Sequence, residues 1–149
     1  MKTLHFTITI KAPVEKVWNT MLEDATYRQW TATFMPGSHF VGSWEKGSKI
    51  QFLGPDPKTG ELGGMTSKIA DSKLHKFVSI KHLGLVSGGI EDTTSEEAKQ
   101  WVGFETYNFR DRGEETEVAV ELETKDDFAQ YMNEAWPNAL KVLKEIAEK

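Results

Sequence analysis

Seven segments with strand character lead up to a single long amphipathic helix, and that imbalance limits what the chain can build. Strands about 4.8 Å apart would make a sheet roughly 34 Å across, whereas one helix with its side chains is only about 10 to 12 Å wide. A flat sheet would stay largely uncovered. The requirement for two packed layers is met if the sheet curls around the helix, with shorter helices closing one open end. Such a grip leaves space between helix and concave face wherever bulky side chains do not fill it.

The clearest strand runs from Thr3 to Ile10, where Leu4, Phe6, Ile8 and Ile10 alternate with polar residues. Pro13 suits the first position of a helix, and Val14, Val17, Trp18, Met21 and Leu22 then share one face. Asp24 is placed to cap a second short helix carrying Tyr27 and Trp30. Further strands are expected over 38–45, 48–53, 62–70, 74–83, 101–109 and 116–124, punctuated by Gly47, the 54–60 stretch, Asp71-Ser72-Lys73 and Asp111-Arg112-Gly113. Gly60, Gly63 and Gly64 read as turn residues, since no Gly-Lys-Ser/Thr follows them to make a phosphate loop. In the last strand Val118, Val120 and Leu122 alternate with polar residues or alanine, which implies an antiparallel sheet with one face on the core. Residues 84–100 read as a long loop with a helical turn, Thr94 and Glu97 suiting a capping box. The final helix spans 126–148, with Pro137 expected to kink or split it near Trp136. Together these elements give one α+β domain over residues 1–149.

The inward faces carry bulk. Trp44, Phe52, Met65, Ile69, Ile80, His82 and Tyr107 from the strands are expected to face Met132, Trp136 and Leu140 of the long helix. A pocket among them would fall in the ordinary small-molecule range of about 300 to 1,000 Å³. Glu105 is the sharpest question, because its strand is apolar on both faces. With Tyr107 and Phe109 inward, Glu105 sits on an apolar wall as a candidate anchor or general acid/base; with Val102, Phe104 and Thr106 inward, it faces water.

Other chemistry finds little support. The four histidines, at 5, 39, 75 and 82, show no H-x-H or H-E-x-x-H spacing, so no metal is expected. His82 is the most interesting, since its parity places it inward with Val78 and Ile80. No serine has a nucleophile-elbow setting, and the absence of cysteine removes thiol chemistry, disulfides and thiolate zinc sites. No catalytic residue and no cofactor is assigned. A net charge of −5 argues against nucleic acid as a partner, and no run of eighteen apolar residues or signal-peptide core suggests a membrane, so a cytoplasmic protein is expected.

Four stretches stand in a recognisable order: Ala12-Pro13-Val14-Glu15-Lys16-Val17-Trp18 after the first strand, Tyr27-Arg28-Gln29-Trp30, Trp44-Glu45-Lys46-Gly47-Ser48-Lys49-Ile50 across a turn, and Trp136, Leu140 and Leu143 near the end. In that order and spacing the chain resembles the START and Bet v 1-like superfamily, also called SRPBCC. Within it the chain is most similar to the family of homologues of the activator of heat-shock protein 90 ATPase. The resemblance implies a helix-grip fold: a seven-stranded curved antiparallel sheet wrapped around the C-terminal helix, two short helices after the first strand, and a hydrophobic cavity between helix and sheet. It also implies three functions. The first is binding of a small hydrophobic or amphipathic ligand, with His82 and Glu105 orienting its polar end. The second is a co-chaperone-like protein whose partner is a chaperone, although the additional N-terminal domain of the eukaryotic co-chaperones is not expected, since Met1 lies two residues before the first strand. The third is a cyclase- or hydrolase-type enzyme using Glu105. Residues 84–100 are longer than a hairpin and would serve as a lid.

Overall fold

A computed structural model describes residues 1–149. Strand β1 (Lys2–Ile10) is followed by helices α1 (Val14–Leu22) and α2 (Asp24–Thr31). Strands β2 (His39–Gly42), β3 (Lys49–Pro55), β4 (Leu62–Lys73), β5 (Phe77–Ser87) and β6 (Ile90–Asp92) come next, then the single-turn α3 (Glu96–Lys99). Strands β7 (Gly103–Arg112) and β8 (Glu115–Thr124) precede a 3-10 turn and helix α4 (Ala129–Ala147). All strand pairs are antiparallel, in the order β1-β8-β7-β5-β4-β3-β2, with β6 also on β5. This is the helix-grip architecture, with an eighth short strand added to the seven expected.

Two neighbours share the edge of β5. Its first half, Phe77 to His82, pairs with β7, and beyond it Leu85 to Ser87 pair with β6. Without β6, that stretch would present bare backbone donors and acceptors. The 84–100 segment is therefore strand, Gly88-Gly89 turn, short strand and helical turn, rather than a long loop. None of it lines the cavity described below, so it is not placed as a lid. Glu91 fastens β6 from outside: its Oε1 accepts from Thr66 Oγ1 (2.6 Å), Gln51 Nε2 (2.7 Å) and Lys49 Nζ (2.6 Å).

Other departures are local. Ser95, not Thr94, caps α3, its Oγ accepting from the Ala98 N–H at 3.1 Å. Pro13 is itself the N-cap of α1, and Asp24 lies in the first turn of α2, where it pairs with Arg28 rather than capping. The β4–β5 turn falls at Leu74-His75-Lys76, His75 taking a φ of +61°, because β4 runs on through Asp71 to Lys73. Helix α4 passes Pro137 without being divided in two.

The core is dense at one end and open at the other. Ala139, Leu143 and Ala147 on the C-terminal half of α4 have no exposed surface and join Ile10, Val17, Met21 and Val118 in one cluster. The backbone of α4 comes close to β1, α1 and α2 but stands back from β3, β4 and β5. Where it stands back, β3 and β4 are drawn tightly together by glycine. Gly64 has a φ of +149°, and a Cβ there would lie 1.9 Å from the Phe52 carbonyl oxygen. Gly63 and Gly64 are thus strand residues of β4, and only Gly60 of the three is a turn residue.

Gly64→Ala should therefore lower stability by about 1–3 kcal/mol or more in urea denaturation; an unchanged midpoint would contradict the close approach. Glu91 gives a second expectation. Hydrogen bonds from Lys49, Thr66 and Gln51 hold its carboxyl down at about 2, against an ordinary 4.5. Its stabilisation of β6 is complete above the ordinary value and fades as pH falls toward the lowered one. Amide protection over residues 90–92, corrected for intrinsic exchange, should drop between pH 4.5 and 2 and stay flat with pH in Glu91→Gln.

Candidate functional site

Between α2, the N-terminal half of α4 and the strands β3, β4, β5 and β7 lies a cavity of about 430 Å³. Its walls are set by short-range rules. Tyr27 and Trp30, three residues apart on α2, share the face turned toward the sheet, and Trp30 is fixed by its indole N–H donating to the Met21 carbonyl at 3.1 Å. Phe128 and Met132, four apart at the start of α4, present the opposite wall together with Trp136. Trp136 divides filled from unfilled interior: its ring lies 5.0 Å from Phe34, 5.8 Å from Trp30, 5.9 Å from Tyr107 and 6.1 Å from Phe6, centroid to centroid. The exposed Asp56 and Glu61 and the half-buried Ser38 and His39 mark where the cavity meets solvent.

Of the eleven residues singled out from sequence, Phe52, Met65, His82, Glu105, Tyr107, Met132 and Trp136 line this cavity. Four do not. Ile69, Ile80 and Leu140 are buried in the packed core, at most 2% exposed. Trp44 stands behind the wall, packed on Tyr27, Phe40, Phe52 and Tyr107, and donates from its indole nitrogen to the Leu22 carbonyl at 3.0 Å. Strand parity gives which way a side chain faces, not how far along the helix the interior is filled. Sequence reasoning missed Tyr27, Trp30 and Phe34 as wall residues, although the three-residue spacing of the first two on α2 was a usable signal.

The strand of Glu105 takes the inward register, with Gly103, Glu105, Tyr107 and Phe109 on the concave side and Phe104 exposed. Glu105 then joins a line of buried polar groups. Its Oε1 lies 3.1 Å from His82 Nε2, its Oε2 accepts from the Tyr107 hydroxyl, and His82 Nδ1 lies 2.7 Å from Ser67 Oγ. A bulge between Thr66 and Ser67 sets Ser67 directly across from His82. Ser67 is completely buried, and its hydroxyl hydrogen has one acceptor within reach, His82 Nδ1. With Nδ1 accepting, Nε2 carries the ring's proton and donates to Glu105. In that arrangement each of the four side chains has a hydrogen-bond partner within the line. Burial first, and the Glu105 charge second, push the Tyr27 and Tyr107 hydroxyls well above their ordinary pKa, so both stay protonated.

A serine, a histidine and a carboxylate in line suggest hydrolytic chemistry, but the roles do not match. A nucleophilic serine would lie on the cavity wall and use Nε2 as its base. Ser67 has no exposed surface, does not line the cavity and meets Nδ1. No three His, Cys, Asp or Glu side chains gather as a metal set. What the site offers is aromatic walls and one desolvated carboxylate held from both sides.

No family model matches the sequence, and comparison with curated proteins finds no match. Solved structures do match over nearly the whole chain. The solution structure of the Aha1 dimer from Colwellia psychrerythraea is similar at 20% identity, covering 99% of this chain and 97% of that one, with a TM-score of 0.69. A protein from Chromobacterium violaceum is 13% identical over 100% and 99% of the two chains, with a TM-score of 0.71. One from Nitrosomonas europaea is 14% identical over 96% and 92%, at 0.71. At these identities the likeness is one of fold, and the fold is the helix-grip, Bet v 1-like one.

Proposed function

We propose that this protein binds a small amphipathic molecule in the cavity between α4 and the sheet. The observation that carries the proposal is the cavity itself, about 430 Å³, walled mainly by apolar and aromatic side chains and opening to solvent beside Asp56 and Glu61. Interiors are ordinarily packed to crystal-like density, and a void of this size forfeits dispersion contacts along its whole lining. A guest would restore them. Phe52, Met65, Met132, Trp136 and Tyr107 would supply apolar contact, and Glu105, backed by His82, would orient a polar end. In this reading the protein is a carrier or sensor and needs no reaction. No helix is long and apolar enough to cross a membrane.

Native mass spectrometry of freshly purified protein should show a retained adduct. A thermal-shift panel of aromatic and aliphatic alcohols, amines and acids should include compounds that raise Tm by about 5–10 °C at a hundredfold excess over Kd, as mass action requires for a chain of this size. Met132→Trp, which fills the cavity from α4, should abolish those shifts while leaving the Tm of ligand-free protein within a few degrees. A silent panel would refute the binding reading, as would undiminished shifts in the filled variant.

A further inference from the structure

The electrostatics of the wall restrict what kind of polar end the ligand carries. No lysine or arginine lines the cavity, whereas three carboxylates do: Asp56 and Glu61 on exposed segments at the mouth and Glu105 within. Both ring nitrogens of His82 are engaged, Nδ1 with Ser67 and Nε2 with Glu105, so the imidazole offers a ligand no free donor. The other histidine on the wall, His39, sits near the mouth with Nδ1 2.9 Å from the Gly37 carbonyl oxygen. The Glu105 side chain is only 15% exposed and has no cationic partner apart from what the imidazole would provide if protonated. A carboxylate has about four lone-pair positions, and the protein donors recorded at Glu105 take two of them, one on each oxygen. Room for further donors remains on a group that faces the cavity.

Tyr27, Trp30, Phe34 and Trp136 also line the space, and the face of an aromatic ring attracts a cation. An anionic ligand would find repulsion from Glu105 and no fixed cation to receive it. Resting on the reading of the cavity as a binding site, we propose that the ligand is an organic cation: a protonated amine or amidine whose charged end sits on Glu105 and whose apolar body lies along the aromatic wall toward Met132.

The test is a matched series with one apolar body and three ends: 3,3-diphenylpropylamine, 3,3-diphenylpropanol and 3,3-diphenylpropanoate, titrated calorimetrically into the intact protein at neutral pH. The amine should bind at least about tenfold more tightly than the alcohol, as a charge-assisted bond to a desolvated carboxylate requires, and the carboxylate should bind weakest. In Glu105→Gln, which keeps the side chain's size, the amine's advantage over the alcohol should shrink to within about threefold. Equal binding of all three, or preference for the carboxylate, overturns the cationic assignment and leaves cavity binding standing. An amine advantage that survives in Glu105→Gln overturns the role of Glu105. If none of the three binds, the cationic assignment falls, and if the broader panel is also silent, cavity binding falls with it. Should the Gln variant fail to fold, the series on the unaltered protein still decides the charge preference.

Discussion

Helix α4 has to cover a sheet far wider than itself, and its two halves meet that demand differently. Toward the C-terminus, small residues let the helix settle close: Ala139 and Ala147 leave no gap against the cluster built from Ile10, Val17, Met21 and Val118. Toward the N-terminus the helix carries Met132 and Trp136, with Phe128 just before its first turn, and its backbone stands away from β3, β4 and β5. The same cylinder is thus a core element at one end and a cavity wall at the other. Pro137 follows Trp136 at the point where the two regimes meet. Helices α1 and α2 are needed for the same reason, since the end that α4 leaves open has to be closed by something, and Tyr27 and Trp30 do this with rings.

Placing a carboxylate on such a wall is costly unless every neighbouring polar group is matched. The line from Ser67 through His82 and Glu105 to Tyr107 achieves that with side chains from three strands, β4, β5 and β7. Its geometry depends on the bulge in β4: one residue of slip there exchanges Ser67 for a neighbour across from His82, and the imidazole would lose the partner that fixes its tautomer. Fold and chemistry are coupled at this point, because an irregularity in strand pairing decides the hydrogen-bond partner of a ring that touches the cavity.

How much of this could be read from the sequence varies with the kind of information required. Alternation in β1 and β8 gave those strands nearly to the residue, because each has one face on the core and one in water. Helix α4 was legible from its apolar face. The 84–100 segment was not, since β6 is three residues long with polar and exposed side chains and owes its existence to the bare edge of β5. The β4–β5 turn was misplaced for a related reason: Asp71-Ser72-Lys73 has turn-like composition, yet pairing with Phe77 to Ser79 keeps it in strand. At the site, parity identified Phe52 and His82 as inward, but Ile69, Ile80 and Leu140 are equally inward and fully packed. Nothing in the alternation distinguishes core from cavity, because that depends on where the helix stands off. The register of β7 was undecidable from composition, both faces being apolar; pairing Ile80 with Glu105 and Leu122 with Glu105 settles it.

The likeness to solved structures at 13 to 20% identity means that the curled sheet and the long helix tolerate replacement of most side chains. In this chain the cavity lies at the end where one helix cannot reach across, and the polarity of its lining turns on few positions. Glu105 is the one carboxylate set within the wall, and its neighbours, the His82 imidazole and the Tyr107 phenol, hold its two oxygens from either side. Neutralising that position would leave a cavity of similar shape with an uncharged lining around its centre, and a lysine there would reverse the sign of the lining. The choice of ligand is therefore separable from the architecture that creates room for it, and only a reading of the wall residue by residue reaches it.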